Sequence, residues 1–423
     1  MNKTEKAFLF TVVVLLFHIT RNINTTLYVG VLFLSYAWLY ITYFYRNRVI
    51  KNTSGIRFRP ITLLFLLSLM WIPFISLLNM DMSDYLIAFP RYFVTFPFIL
   101  FCFLYKEYNY ELIKQVFRIL CVFMAVSALS IPYQIAFGRI FFFAESGYRV
   151  GLERYATLAG SLTALGTLGA LSLILLLFTD DMLFTKGKKT LLIIITLLGM
   201  LMTLQKTAVA NIIICLVAYV LIDGKSSFIK RSFAVIGICL LAYGAYFIFR
   251  ETQFALYIDS IFRYSVSDSS LGIKQDLMQR IWEYPSLVIK YHDMSFSDFI
   301  FGIGLSSLSG TVGLPKFPMA HNNYFDLLFS GGIIHLVSYL ILMIRIPLKV
   351  IINKLKGIKI NIVDRSYSMI IILLLINMLI GEATFYQPIA TVSIFVTICS
   401  YDKVKREIKV QTREHMGENC KSH

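Results

Sequence analysis

Residues 61–79 read ITLLFLLSLMWIPFISLLN, a run without one charged side chain. Wound as a helix at about 1.5 Å per residue, a stretch of that length crosses the ~30 Å hydrocarbon core of a bilayer. No water is available there for backbone N–H and C=O groups, so the segment must be a helix or a strand of a closed barrel. Its apolar residues are continuous rather than alternating, which excludes a barrel strand. Similar runs occur to either side, at 7–20, 25–44, 85–105, 113–137, 156–178, 190–204, 207–222, 232–249, 323–343, 367–381 and 386–400. The chain is 57% hydrophobic and 15% charged, against about 25% charged for a soluble domain. The predicted fold class is therefore all-α: a polytopic integral membrane protein with about 12 transmembrane helices. Ala7–Thr20 is read as a first span and not as a signal peptide, because no small-residue cleavage site follows it.

The formal net charge of +16 would suggest nucleic acid in a soluble protein. Here the charge lies in alternate loops. Arg46, Arg48, Lys51, Arg57 and Arg59 fall between spans two and three, and Lys186, Lys188 and Lys189 between six and seven. Arg345, Lys349, Lys354, Lys356, Lys359 and Arg365 fall between ten and eleven, and the tail adds Lys403, Lys405, Arg406 and Lys409. Loops rich in Lys and Arg stay on the cytoplasmic side. Both termini are therefore expected there, and the charge records topology rather than a nucleic-acid partner. The expected organisation is nine transmembrane helices in 1–249, an extracytoplasmic loop over 250–322, and three more helices with a basic cytoplasmic tail in 323–423.

Two outer segments depart from simple spans and turns. One is 138–155, GRIFFFAESGYRVGLERY. The other is the loop 250–322, too long for a mere connector. Within it Phe254, Tyr257, Ile258, Ile261 and Phe262 share one helical face, the pattern of an amphipathic helix at a membrane surface. A second short helix is expected over Lys274–Tyr284, ending at Pro285.

Arg149, Arg154, Lys206, Arg280 and His321 all fall on the expected outer side, where positive charge runs against the orientation rule. Cations there suit an anionic headgroup: arginine grips phosphate oxygens in bidentate fashion and lysine acts as a point charge. Any one of them, taken singly, also reads as a solvated charge. Lys206 sits between two apolar runs, where it either faces a cavity or snorkels to the interface. Arg91, next to Pro90 inside a predicted span, suits either an ion pair or a cytoplasmic-side anion site. His321-Asn322 closes the long loop. A neutral imidazole accepts a proton near pH 7 without a large shift, and Asn322 could orient it or bond a sugar hydroxyl. Asp326, one turn on, is placed to pair with His321 or to lie at the interface, and Glu382 is a second supporting carboxylate. Gly331-Gly332 permits a close helix approach or a bend.

Cys102, Cys121, Cys215, Cys239 and Cys399 lie in apolar runs and Cys420 in the tail, so no disulfide framework is expected. No Cys/His pair has metal-ligand spacing. Phosphate-binding loops, dinucleotide fingerprints and nucleophile elbows are also missing. No metal and no cofactor are predicted.

In these residues the chain resembles the superfamily of O-antigen polymerases and O-antigen ligases. The likeness rests on Arg280-Ile281-Trp282, Phe301-Gly302-Ile303-Gly304, His321-Asn322-Asn323-Tyr324 and Gly331-Gly332 in that order, with ten residues between His321 and Gly332. Arg149-Val150-Gly151 resembles the family's arginine before span six. Thr203-Leu204-Gln205-Lys206-Thr207 resembles its turn between spans seven and eight, with Gln and Lys where Ser and Arg are usual. The resemblance covers about 145–345 and the span count. It implies a metal-independent membrane glycosyltransferase of the bacterial inner membrane, acting on undecaprenyl-diphosphate-linked glycans at the outer leaflet. The expected activity is polymerisation of O-antigen or capsular repeat units. Ligation of the glycan to lipid A–core is the alternative, and a lipid-linked glycan transporter is a weaker third. Expected partners are the lipid-linked glycans, membrane lipids, a chain-length regulator and a flippase. Implied roles are proton acceptor for His321, orienting residue for Asn322, and diphosphate binding for Arg149, Arg154, Lys206 and Arg280.

Overall fold

The computed structural model describes residues 1–49, 58–149, 152–179, 182–222, 233, 236–237, 278–305, 322–358, 360–379 and 387–419. The predicted span 232–249, the amphipathic helix over Phe254–Phe262, His321 and Glu382 lie outside the described residues, apart from 233 and 236–237. The helices are α1 (Lys3–Leu16), α2 (Thr25–Val49), α3 (Pro60–Asn79), α4 (Met82–Phe93), α5 (Phe96–Leu104), α6 (Tyr110–Phe137), α7 (Ala164–Phe178), α8 (Lys186–Met202) and α9 (Lys206–Ile222). The further described helices are α10 (Tyr284–Tyr291), α11 (Phe296–Phe301), α12 (Asn323–Leu355), α13 (Ile362–Met378) and α14 (Pro388–Asn419). Among the described residues, four helices are long and apolar enough to cross a membrane: Thr25–Arg46, Pro60–Asn79, Tyr110–Phe137 and Asn323–Leu355. Ala164–Phe178 and Lys206–Val220 are shorter apolar helices.

Helical structure dominates, and three expectations need correction. The all-α expectation misses a small antiparallel hairpin of β1 (Gly147–Arg149) and β2 (Leu152–Arg154), in which Gly147 pairs with Arg154 and Arg149 with Leu152. The expected single span 85–105 is two helices, α4 and α5, broken at Val94-Thr95. Pro97 in the first turn of α5 has no N–H to continue the helical ladder. Three tyrosines on one face of α2 meet carbonyls along this segment: Tyr36 donates to the Val94 oxygen at 2.5 Å, Tyr40 to Pro97 at 2.8 Å and Tyr43 to Leu104 at 2.7 Å. In an apolar setting such donors are what makes a broken helix tolerable. Finally, Pro285 does not end a helix. The π-helical turn Gln279–Glu283 runs directly into α10, and Pro285 is the second residue of α10.

The chain forms two compact units, Met1–Ile119 with Arg280–His423, and Leu120–Gln279. In the first, α3 packs on α12, α12 on α13 and α13 on α14, while α1 packs on α2. Small polar residues line these helix contacts, as they do where lipid supplies no hydrophobic drive to association. Ser68 on α3 lies 2.8 Å from the His335 Nδ1 on α12, and the Phe65 ring stacks on that imidazole at 5.4 Å. In the second unit α7 is buried almost all round and packs on α8 and α9. Asn211 of α9 donates to the α7 carbonyls of Gly166 and Thr167 at 3.4 and 3.3 Å.

Large apolar side chains stay exposed on the long helices. Examples are Leu34 and Ile41 on α2, Leu67 and Leu78 on α3, Leu129 and Ile135 on α6, and Val337 and Ile341 on α12. Faces of this kind are disfavoured against water and suited to hydrocarbon.

Candidate functional site

In the first unit the end of the long loop is built around glycine. Phe296–Phe301 forms α11, started by Ser295, whose hydroxyl accepts from the Asp298 N–H while the Asp298 carboxylate accepts from the Ser295 N–H. The chain then passes through Gly302-Ile303-Gly304, both glycines at positive φ, against α3 and α12. Ile303 N–H donates to the Phe329 carbonyl at 2.6 Å, Leu305 N–H to the Ser76 hydroxyl at 2.8 Å, and the Trp71 indole to the Phe301 carbonyl at 2.9 Å. At the point of contact α12 is kinked: Gly332 has φ +75° inside the helix. A Cβ on Gly332 would lie 1.9 Å from the Ile300 carbonyl oxygen, and one on Gly302 2.4 Å from the Ser330 oxygen. Gly302 and Gly332, one from each glycine pair singled out in the sequence, therefore belong to one contact, while Gly304 packs against Ser76 of α3. Val288, Ile303 and Phe329 close a small core beneath it, flanked by Ile289, Phe299 and Phe325, so α10, α11 and the first half of α12 hold together.

Asn322 and Arg280 meet at the edge of this core. Asn322 is buried and starts α12: its side-chain oxygen accepts from Tyr324 N–H at 3.0 Å, and its amide donates to the Arg280 carbonyl at 3.3 Å. Arg280 lies in the π-helical turn Gln279–Glu283 and is half-buried. Asp326 is buried and accepts from the Asn323 amide at 2.9 Å. That assigns it a partner the sequence did not suggest. Nearby, burial pushes the His292 imidazole below its ordinary value, with Asp298 pulling the other way.

The second unit carries Arg149, Arg154 and Lys206. Arg149 and Arg154 sit on the two strands of the hairpin. Arg154 Nε donates to the Thr203 carbonyl at 3.1 Å, just past the end of α8, where helix carbonyls lack intrahelical partners. Thr203-Leu204-Gln205 forms the predicted turn. Leu204 takes a left-handed φ of +56°, which is uncommon for a leucine and marks a position held by its surroundings. Gln205 holds it: buried, it donates to the Leu162 carbonyl at 2.6 Å and accepts from the Thr207 hydroxyl at 3.1 Å. Lys206, half-buried, is the first residue of α9, at the helix end whose dipole favours negative charge. The structure thus joins Arg154 to the turn preceding Lys206, and Arg280 to Asn322. Arg91 lies in α4.

Among the described residues, no three His, Cys, Asp or Glu side chains gather closely enough to hold a metal ion. Sequence reasoning missed Gln205 as the residue that shapes the 203–207 turn; its place in an otherwise apolar run was the available signal. It also gave His335 little weight, and that side chain is fully buried between Ser68 and Phe65. Compared with protein-family models and with curated proteins, the chain matches none.

Proposed function

We propose that this chain is a membrane-embedded glycosyltransferase that polymerises undecaprenyl-diphosphate-linked oligosaccharide repeat units at the outer leaflet of a bacterial inner membrane. The observation that carries the reading is the association of Arg280, Gly302-Ile303-Gly304, Asn322 and Gly331-Gly332 around one core, since these are the residues whose order in the sequence resembles that superfamily. The reading includes about a dozen membrane crossings, cytoplasmic termini and an extracytoplasmic 250–322 loop.

In this reaction an acceptor hydroxyl attacks the anomeric carbon of the donor sugar. The bond from that carbon to the diphosphate oxygen breaks, and the diphosphate leaves on its lipid. Arg280 neutralises charge that develops on the leaving group, the kind of electrostatic term that dominates many enzymes; for Arg149, Arg154 and Lys206, in the other unit, the diphosphate-binding role rests on the resemblance alone. His321 takes the acceptor proton, and Asn322, fixed as the cap of α12, orients its neighbour.

The test uses purified full-length protein with a lipid-linked repeat unit. Arg280→Ala abolishes chain extension while the protein still inserts, and Arg280→Lys keeps part of the activity. His321→Gln lowers the rate by about 10²–10⁴-fold. Wild-type product lengths from both Arg280→Ala and His321→Gln would sink the assignment. Transfer to lipid A–core in place of a second repeat unit would convert the reading to a ligase.

A further inference from the structure

Four cations gather where α12, α13, α14 and the start of α3 meet, all within the first compact unit. Asp402 of α14 accepts from Arg345 and, at 2.8 Å, from Lys349, both on α12. Arg59, just ahead of α3, comes within 3.7 Å of the same carboxylate. Lys405 of α14 pairs at 2.6 Å with Asp364 at the start of α13. The Tyr401 ring joins the two groups, with the Lys349 ammonium 5.3 Å and the Lys405 ammonium 5.5 Å from its centre. Arg59, Arg345, Lys349 and Lys405 therefore share two carboxylates, and among the described residues no other acidic side chain pairs with any of them. Four cations against two anions leave two positive charges over. Drawing three cations around Asp402 sets up a mutual repulsion that a further anion relieves. The surplus is accessible, since the Arg59 side chain is 61% exposed and that of Lys349 44%. Glycosyl transfer uses none of these residues.

The surface beside the cluster is apolar. Val337, Ile341, Ile344 and Leu348 recur on α12 at intervals of three and four residues, and all four are exposed, so they form one row along the helix. Arg345 and Lys349 each follow a member of that row by one residue and stand about 100° round the helix from it. We propose that this corner binds an anionic phospholipid, its phosphate held by Arg59, Arg345 and Lys349 and an acyl chain lying along Val337, Ile341, Ile344 and Leu348. Arginine supplies a fixed pair of N–H donors and lysine a point charge, and basic pockets between membrane helices take lipid phosphates in this way. The exposed apolar row favours a lipid over a soluble phosphate. The proposal rests on insertion in a bilayer and on neither the transfer reaction nor the side of the membrane, so it stands or falls apart from the polymerase reading.

Purified full-length protein would be reconstituted in mixed phosphatidylglycerol and phosphatidylcholine, then delipidated and analysed by native mass spectrometry. The lipid retained should be phosphatidylglycerol. Arg59→Gln should lower its retention about fivefold, the scale of one basic residue at an anionic surface, and Arg59→Gln combined with Lys349→Gln about twentyfold or more. Arg59 is mostly exposed, so the single variant keeps the test open if the double variant fails to fold. Lys188→Gln, at an exposed lysine of α8 in the other unit, should leave retention unchanged. Asp402→Asn removes a carboxylate that competes for the same cations, and retention should hold or rise. Equal retention of the two lipids, unchanged retention in Arg59→Gln, an equal loss in Lys188→Gln, a fall in Asp402→Asn, or displacement of the lipid by millimolar glycerol phosphate overturns the proposal.

Discussion

Gly332 carries a constraint that no other residue type can meet. Its φ of +75° would strain any L side chain, and an added Cβ would stand 1.9 Å from the Ile300 carbonyl oxygen. Gly357 has nearly the same φ, +70°, but nothing within 4 Å of the Cβ position. The pair separates two costs. Gly357→Ala should show only the left-handed penalty of about 1–2 kcal/mol. Gly332→Ala should also force α11 and α12 apart and cost clearly more, about 3 kcal/mol or above. Thermal unfolding of the two variants in the same detergent checks this, and equal losses would mean that the contact yields freely. The sequence did offer Gly331-Gly332 as a close approach or a bend, and the structure has both. It did not say that Gly302 was the other side of the contact, because pairing across the loop depends on backbone geometry that no local pattern encodes.

At the scale of elements, charges that the sequence reading took only as topology signals form ion pairs. Asp402 on α14 accepts from Lys349 at 2.8 Å and from Arg345, both on α12, with Arg59 at 3.7 Å from the residue before α3. Asp364, which starts α13 by bonding with Asn361, is held by Lys405 at 2.6 Å and by the Tyr401 hydroxyl at 2.5 Å. Arg345, Lys349 and Arg59 were legible only as a cytoplasmic count, since ion-pair partners fifty and more residues away leave no mark on local sequence. Burial alone would raise the Asp402 carboxyl, but Lys349, Arg345 and Arg59 outweigh it and hold the group below the usual carboxylate range. A lowered native value means that the unfolded chain binds the proton more readily. The stabilisation is then present above the ordinary value of about 3.9 and is lost as pH falls through the native value. Melting followed from pH 6 down to about pH 3 should show a drop in wild type that is smaller in Asp402→Asn. At neutral pH the variant should already be less stable by roughly 1–2 kcal/mol, a modest figure because the cluster is partly solvated. Parallel acid limbs for the two proteins would remove Asp402 from the account.

For the whole molecule, the apolar runs announced helices well and their joining poorly. Residues 61–79 became α3 nearly as read, whereas 85–105 broke at Val94-Thr95 because proline and the Tyr36, Tyr40 and Tyr43 hydroxyls favour the break. Nor does sequence order foretell that the first 119 residues share a compact unit with those from Arg280 onward. Orientation follows from a different physical rule, the retention of Lys- and Arg-rich loops on the cytoplasmic side. It can therefore be tested independently of packing. Single cysteines replacing Gln275 and Lys356 sit in the two loops whose sides the rule sets apart, and Lys356 is exposed at the end of α12. The native Cys102, Cys121 and Cys215 are buried and should react slowly by comparison. In spheroplasts, a membrane-impermeant maleimide should label Gln275→Cys directly and Lys356→Cys only after the membrane is permeabilised. The opposite pattern would place Arg280 and Asn322 on the cytoplasmic side, away from an outer-leaflet glycan donor, and the proposed reaction would fall with the topology.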